Sequence, residues 1–164
     1  MPAPHLIIPR MEGFVSTQTG VQRQGVQLWV EAMKAIMSAS SLRDQTNWNF
    51  DGSADVDESA NNALNGAGTL YGVLISTDSA DTEIDFVCIN DNTSNTFDGT
   101  AALDNEDIWT TALPAAATDG TREYHGFTMP TGIAFATGIT IGADGVDGTN
   151  PATNDLHAWL VYRG

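Results

Sequence analysis

The stretch Ile133-Ala-Phe-Ala-Thr-Gly-Ile-Thr-Ile141 decides the fold class. Its larger side chains fall on every second residue with small ones between them, which is the two-residue period of a β-strand with one buried face. Gly138 interrupts the run and indicates a bulge or a bend. The sequence therefore predicts a strand over 132–141 and a fold built largely from such strands.

Outward from this stretch, alternating segments separated by turn residues continue through most of the chain after residue 68. In the segment 82–90, Ile84, Phe86 and Cys88 share one face and are expected to point into the core, and this segment is expected to form a hairpin with 70–76. Short strands at regular intervals are typical of antiparallel sandwiches and barrels. We therefore expect a mainly β fold, an antiparallel β-sandwich (jelly-roll-like) domain over 66–164. The remaining predicted strands are 107–112, 122–128 and 157–163.

Residues 1–65 are predicted to form an N-terminal arm, a helix and a connecting segment. Proline at positions 2, 4 and 9 favours extended backbone, so residues 1–21 are expected to be an extended arm that becomes ordered on another surface. From Val26 to Met37 the apolar residues follow helical spacing and predict one short helix. A strand through Val26, Leu28 and Val30 remains an alternative. Residues 38–68 are expected to be a long connection.

The charge of the chain limits its partners. The 164 residues carry a net charge of -15, and a protein that binds a phosphate backbone needs Lys and Arg to displace counterions. We therefore expect no nucleic acid partner. No apolar stretch approaches the roughly 20 residues of a membrane span, so no membrane association is expected. The charge is also uneven, because residues 1–43 sum to +2 (4 basic, 2 acidic) and residues 44–164 to -17 (2 basic, 19 acidic).

Residues that could support catalysis are few and scattered. His5, His125 and His157 lie far apart and show no metal-ligand spacing, and Cys88 shares a predicted strand face with apolar residues. A single cysteine in such a position is expected to be a buried structural thiol. The sequence therefore predicts no catalytic residues, no cofactor and no enzymatic activity.

Two other groups of residues could bind a ligand. Asp51, Asp55 and Asp57 resemble the start of a calcium loop, but Val56 stands where the turn glycine belongs and Asn62 where the closing glutamate belongs. A solvated acidic loop is therefore the favoured interpretation. The aromatic residues could form a platform for sugar rings, although their periodic positions favour core packing. They are Trp29, Trp48, Trp109, Trp159, Tyr71, Tyr124 and Tyr162.

Four segments from Leu70 to the end resemble the β-sandwich domains of phage structural proteins. They are Leu-Tyr-Gly-Val-Leu-Ile, Ile-Asp-Phe-Val-Cys-Ile-Asn-Asp-Asn-Thr, Gly-Ile-Ala-Phe-Ala-Thr-Gly-Ile-Thr-Ile and Leu-His-Ala-Trp-Leu-Val-Tyr-Arg. The layout is similar to that of the capsid decoration (cement) proteins of tailed bacteriophages, in which a strand precedes an Asp-Asn-Thr loop, a long excursion and a closing strand pair.

This resemblance implies a virion protein that decorates and stabilises the phage head by binding the outer surface of the major capsid lattice. It implies a homo-oligomer, expected to be a trimer, with the major capsid protein as its partner and the host cytoplasm as its location during assembly. The alternative is a receptor- or glycan-binding β-sandwich domain of a tail fibre or adhesin. The expected capsid or intersubunit contacts are Leu6, Ile7, Ile8, Arg10 and Arg23.

Overall fold

A computed structural model describes residues 4–18, 20–39, 48–53, 56, 61–77, 84–90, 107–113, 122–145 and 156–164. Two helices precede eight strands, and every strand pairing is antiparallel. The prediction of a mainly β protein is therefore confirmed. The elements are α1 (Pro4–Ser16), α2 (Gly20–Met37), β1 (Trp48–Ser53), β2 (Asn61–Asn65), β3 (Gly68–Thr77), β4 (Ile84–Asn90), β5 (Asp107–Leu113), β6 (Glu123–Phe135), β7 (Gly138–Gly145) and β8 (Leu156–Arg163).

The predicted extended arm is wrong, because residues 4–16 form helix α1. Ile7, Met11 and Val15 recur every four residues and are buried, so the helix gains an apolar stripe to pack against the rest of the chain. Pro4 stands in the first turn, where a missing N–H is tolerated, whereas Pro9 lies inside the helix and removes a hydrogen bond there. Burial of the apolar stripe stabilises the helix by more than the lost hydrogen bond destabilises it.

Helix α2 confirms the helical prediction for 26–37 and begins six residues earlier than the predicted segment. Its buried residues are Val26, Trp29, Val30, Met33 and Met37, which follow the helical period and not the alternation of a strand. Gly20 has a φ of 59°, and this left-handed conformation lets the chain reverse between α1 and α2.

The strands form two four-stranded sheets. The first has the order β1-β8-β3-β6 and the second β2-β7-β4-β5. The chain therefore passes repeatedly from one sheet to the other, as it does in an eight-stranded jelly roll wound from two Greek keys. The strand order is compatible with the predicted jelly-roll-like architecture.

Two segments that the sequence predicted as a connection are strands. β1 lies against β8, with Trp48 opposite Arg163, and β2 lies against β7, with Asn61 opposite Ile141. Both strands are short and rich in Asn, Asp, Ser or Gly, so their sequences lack the β-branched residues that usually indicate a strand. The sheets thus extend to both sides of the predicted division at residue 65.

The deciding stretch is two strands and not one. β6 ends at Phe135 in the first sheet and β7 begins at Gly138 in the second, so the chain changes sheets at Ala136 and Thr137. The large apolar side chains keep the same orientation on both sides of the bend, because Phe135, Ile139 and Ile141 all face the space between the sheets. The predicted hairpin of 70–76 with 82–90 is also wrong, since β3 and β4 belong to different sheets.

Side chains of both sheets form an inter-sheet core. Val73 and Ile75 of the first sheet and Ile139 and Ile141 of the second are among its fully buried members. The predicted inward orientation of Ile84, Phe86 and Cys88 concerns side chains that lie outside the described ones. The strand that carries them, β4, pairs with both β5 and β7.

The helices cover the opposite face of the first sheet and create a second buried cluster, the helix–sheet core. It joins residues of α1 and α2 to Leu74 of β3 and Val161 of β8. β3 is buried from Leu70 to Thr77 because one of its faces contacts the helices and the other contacts the second sheet. Neither described helix is long and apolar enough to cross a membrane.

Candidate binding cleft

The residues expected to make capsid contacts do not form one exposed patch. Ile7 is 3% exposed in the helix–sheet core and Ile8 packs partly against it, so these two aliphatic side chains are used within the chain. Leu6 lies on α1, and its side chain is outside the described ones. Arg10 on α1 and Arg23 on α2 are exposed.

Arg10 lies instead at the edge of a cleft of about 500 Å³ between helix α1 and the first sheet. A cleft of this volume falls within the usual range of small-ligand sites. α1 supplies one wall, and the neighbouring strands β1 and β8 supply the other. The lining residues are Arg10, Gly13, Phe14, Thr17, Phe50, Gly52 and Trp159.

Aromatic rings form the walls of this cleft. The centroids of Phe14 and Trp159 are 4.7 Å apart and those of Phe14 and Phe50 are 6.1 Å apart. Gly52 allows the indole to lie against β1, because a Cβ at this position would stand 2.7 Å from Trp159 Cδ1. Trp159 is only partly buried, so part of its indole remains available to a ligand.

The guanidinium of Arg10 is held at the cleft by the backbone of β1. Its Nη2 donates a hydrogen bond of 2.7 Å to the carbonyl oxygen of Phe50, and its Cζ lies 6.0 Å from the Phe50 ring centroid. Among the described residues no carboxylate forms a salt bridge with it. Arg10 is therefore a cation positioned by a backbone carbonyl and an aromatic ring, and not by an ion pair with a described residue.

A hydrogen-bonded polar pair lies behind the cleft. Tyr162, 2% exposed, donates a hydrogen bond from its hydroxyl to Asp51 Oδ2 across β1 and β8. Burial and this hydrogen bond raise the pKa of Tyr162, so the phenol stays protonated. Asp51, one of the three calcium candidates, is thus already engaged by a tyrosine.

The structure brings no metal site together from its described residues. Asp55 and Asp57 lie outside the described residues, and within the described part no group of three or more His, Cys, Asp or Glu could hold a metal ion. The calcium hypothesis therefore gains no support beyond the sequence.

Two of the histidines lie on either side of β3. His125 of β6 is opposite Ile75 and His157 of β8 is opposite Ser76. Burial lowers the pKa of His125, while the nearby Glu123 carboxylate works in the opposite direction. The His157 ring packs 6.0 Å from Trp159. The third histidine, His5, has a side chain outside the described ones.

The preference for core packing over an open aromatic platform is confirmed for four of the seven aromatic residues. Trp29, Trp48, Tyr71 and Tyr162 are each less than 8% exposed. Trp29 also donates an indole hydrogen bond of 3.0 Å to the carbonyl oxygen of Phe127. Trp109, Tyr124 and Trp159 are partly buried, and of these only Trp159 lines the cleft.

Sequence reasoning did not find the cleft as a site. Phe14, Gly52 and Trp159 come from three distant segments, and no local motif joins them. Only the pairing of β1 with β8 and the docking of α1 bring them together. The one available signal was Trp159 in a closing strand, together with an arginine in an otherwise acidic chain.

Comparison with known proteins gives no family for this chain. No family model matches it, and no curated protein sequence matches it. The geometry of the described residues must therefore carry any functional proposal.

Proposed function

We propose that this chain is a non-catalytic structural protein of a phage virion, which decorates and stabilises the head by binding the outer surface of the major capsid lattice. Its two-sheet strand order supports this proposal, because jelly rolls recur in viral capsid and lectin domains. The fold alone does not specify a function, so a surface suited to attachment has to supply the rest.

The helical layer offers that surface, and its charge is the observation that carries the proposal. Residues 4–39 contain Arg10, Arg23 and Lys34 against Glu12 and Glu31, so their net charge is +1. The net charge of the other residues is therefore -16, which gives the total of -15. Lys34 is engaged by Glu12 at 2.9 Å and Glu31 at 3.4 Å. Like-charge repulsion is thus weakest where this layer meets a partner.

Leu28 marks the attachment surface within the helical layer. Its side chain is 73% exposed on the outer face of α2, and it is the one large hydrophobic residue in the described part with such exposure. Arg23 lies five residues earlier on the same helix, about 140° around its axis, so it stands on a different side of α2 from Leu28. An exposed leucine suits a protein surface that is apolar at the centre of the contact.

A homo-oligomer, proposed as a trimer, would multiply such contacts. A single exposed leucine gives a weak contact, and linked copies gain avidity because later contacts form within the assembly. The acidic remainder of each copy would then face water and keep particles apart by repulsion.

The test is the location of the protein in purified virions of the phage that encodes it. We expect antibodies against the chain to label intact heads over their whole surface, and the protein to migrate with heads in a density gradient. Labelling confined to the tail tip would replace this proposal with the receptor-binding one. Migration only as a free species would refute both.

Two matched charge insertions test the attachment surface. Leu28→Glu should lower occupancy on heads that lack the protein by roughly tenfold or more, because burying a leucine contributes about 1.5–3 kcal/mol. Ala134→Glu adds the same charge at an exposed position of β6 and should leave occupancy unchanged. Equal occupancy of the two variants would show that α2 is not the attachment surface.

A further inference from the structure

We propose that the cleft between α1, β1 and β8 binds a sugar that carries a carboxylate, such as a uronic acid unit of an acidic polysaccharide. In this arrangement Arg10 receives the carboxylate, and the sugar ring lies against Phe14 and Trp159. The inference goes beyond attachment to a head and does not depend on it, because Leu28 and the outer face of α2 do not line the cleft.

The charge of the cleft selects an anionic ligand. Among the described residues, Arg10 is the one charged residue that lines the cleft, and the nearby Asp51 carboxylate is occupied by the Tyr162 hydroxyl. Among the described residues the guanidinium makes one hydrogen bond, from Nη2 to the Phe50 carbonyl, so its other N–H groups can bind a carboxylate. Because this hydrogen bond and the Phe50 ring already position the side chain, binding requires little further ordering.

The aromatic walls select a ligand with one flat apolar face. The Phe14 and Trp159 rings, 4.7 Å apart at an angle of 46°, form an angled surface against which the C–H groups of a sugar ring can pack. The faces of aromatic rings carry negative partial charge, which attracts weakly positive C–H hydrogens. The cleft is open on one side, so the hydroxyl groups of a sugar would stay hydrated.

A further donor lines the cleft beside Arg10. No described residue accepts a hydrogen bond from the indole Nε1 of Trp159, and this atom is next to Gly52 at the β1 side of the cleft. Thr17 contributes a hydroxyl that donates to the Phe14 carbonyl oxygen and accepts from Gln18 Nε2, which leaves one lone pair for a ligand. A sugar acid offers acceptors to the indole and the guanidinium, and hydroxyl donors to Thr17.

An acidic segment of a protein could also place a carboxylate on Arg10. A side-chain carboxylate on an open chain would leave the angled aromatic surface without a ring to cover it, so the observations favour the sugar acid. Binding of an acidic peptide is therefore one outcome of the test.

The first experiment follows the indole N–H signal of Trp159 by NMR in the full chain, assigned with Trp159→Phe. The probes are sodium glucuronate, methyl glucoside, sodium acetate and a Glu-rich peptide. We expect glucuronate to shift the Trp159 signal in a saturable way and the neutral glucoside to bind about tenfold more weakly, because the charge-assisted hydrogen bonds to Arg10 are missing. Acetate should leave the Trp159 signal in place.

The second experiment blocks the cleft without damaging the fold. A Cβ at Gly13, which lines the cleft, and one at Gly25, which does not, would each meet nothing within 4 Å. Gly13→Gln and Gly25→Gln both place a good helix former in a helix and should keep or raise the melting temperature. We expect Gly13→Gln to abolish glucuronate binding and Gly25→Gln to leave it unchanged.

A matched arginine pair completes the test. Arg10→Gln should weaken glucuronate binding about tenfold, whereas Arg23→Gln removes another exposed cation, which does not line the cleft, and should have no effect. The proposal is overturned if no sugar shifts Trp159, if Gly13→Gln binds glucuronate like the parent, or if the acidic peptide binds more tightly than every sugar. The last outcome would assign the cleft to a protein partner.

Discussion

His125 is held in a position that suits a neutral imidazole better than a charged one. It lies in β6 opposite Ile75, a member of the inter-sheet core, and its Nε2 is buried without a hydrogen-bond partner in the described part of the chain. A buried polar atom without a partner destabilises the fold, and a buried charge without one destabilises it more. Burial accordingly lowers the pKa of His125 below its ordinary value of 6.5.

This lowered pKa predicts how stability depends on pH. Below about pH 6.5 the unfolded chain binds a proton at His125 that the folded chain resists, so this contribution to stability is complete above pH 6.5 and is lost as pH falls towards the folded pKa. His125→Phe should reduce the fall in melting temperature between pH 7.5 and pH 5.5. Between pH 7.5 and pH 9 the melting temperatures of the parent and the variant should change with pH in the same way. A parent and variant with equal slopes below pH 6.5 would contradict the assignment.

Single elements show which patterns in the sequence were informative. Strands with large apolar residues, such as β3 and β8, were predicted within two residues of their observed ends. β1 and β2 were missed because neighbouring strands, and not their own Asn- and Ser-rich sequences, hold them in the sheets. Helix α1 was missed because three prolines outweighed the four-residue spacing of Ile7, Met11 and Val15.

The candidate cleft could not be predicted from the sequence for a related reason. Of its lining residues, only Arg10 was proposed as a contact and only Trp159 as part of a sugar platform. Their neighbourhood depends on the docking of α1 onto β1, and a segment expected to be an extended arm gives no reason to place Phe14 beside Trp159. The cleft was therefore missed because one of its walls, helix α1, was predicted to be an extended arm.

The packing of α1 against the first sheet can be tested with two substitutions in this helix. Met11 is fully buried in the helix–sheet core, so Met11→Ala should lower the free energy of unfolding by about 2–5 kcal/mol. Glu12→Ala, the neighbouring exposed position, removes one exposed salt bridge to Lys34 and should have a much smaller effect than Met11→Ala. Denaturant titration of the free chain measures both. Equal, small effects would mean that α1 is an undocked arm in solution.

At the scale of the whole molecule, the first sheet links everything else. β3 contributes Val73 and Ile75 to the inter-sheet core and Leu74 to the helix–sheet core, so no described core can be lost without exposing this strand. β1, which follows the helices in the sequence, pairs with β8, which is the last strand. Segments far apart in sequence therefore depend on each other, and the molecule should unfold as one cooperative unit.

Met33→Ala tests this cooperativity, because Met33 is fully buried between α2 and the first sheet. The substitution should cost about 2–5 kcal/mol and lower the melting temperature by roughly 5–15 °C. Trp29, in the helix–sheet core, and Trp109, which packs 5.0 Å from Phe127 beside the inter-sheet core, can report the two cores separately. In variants that keep only one of these two tryptophans, with Trp48 and Trp159 replaced by Phe in both, Met33→Ala should lower each melting temperature by a similar amount relative to the same variant with Met33 intact. A shift confined to the Trp29 signal would show that the helical layer unfolds independently of the sheets, as the predicted division at residue 65 implies. The reason is that a substitution in one unit lowers the stability of another unit only if the two share a core.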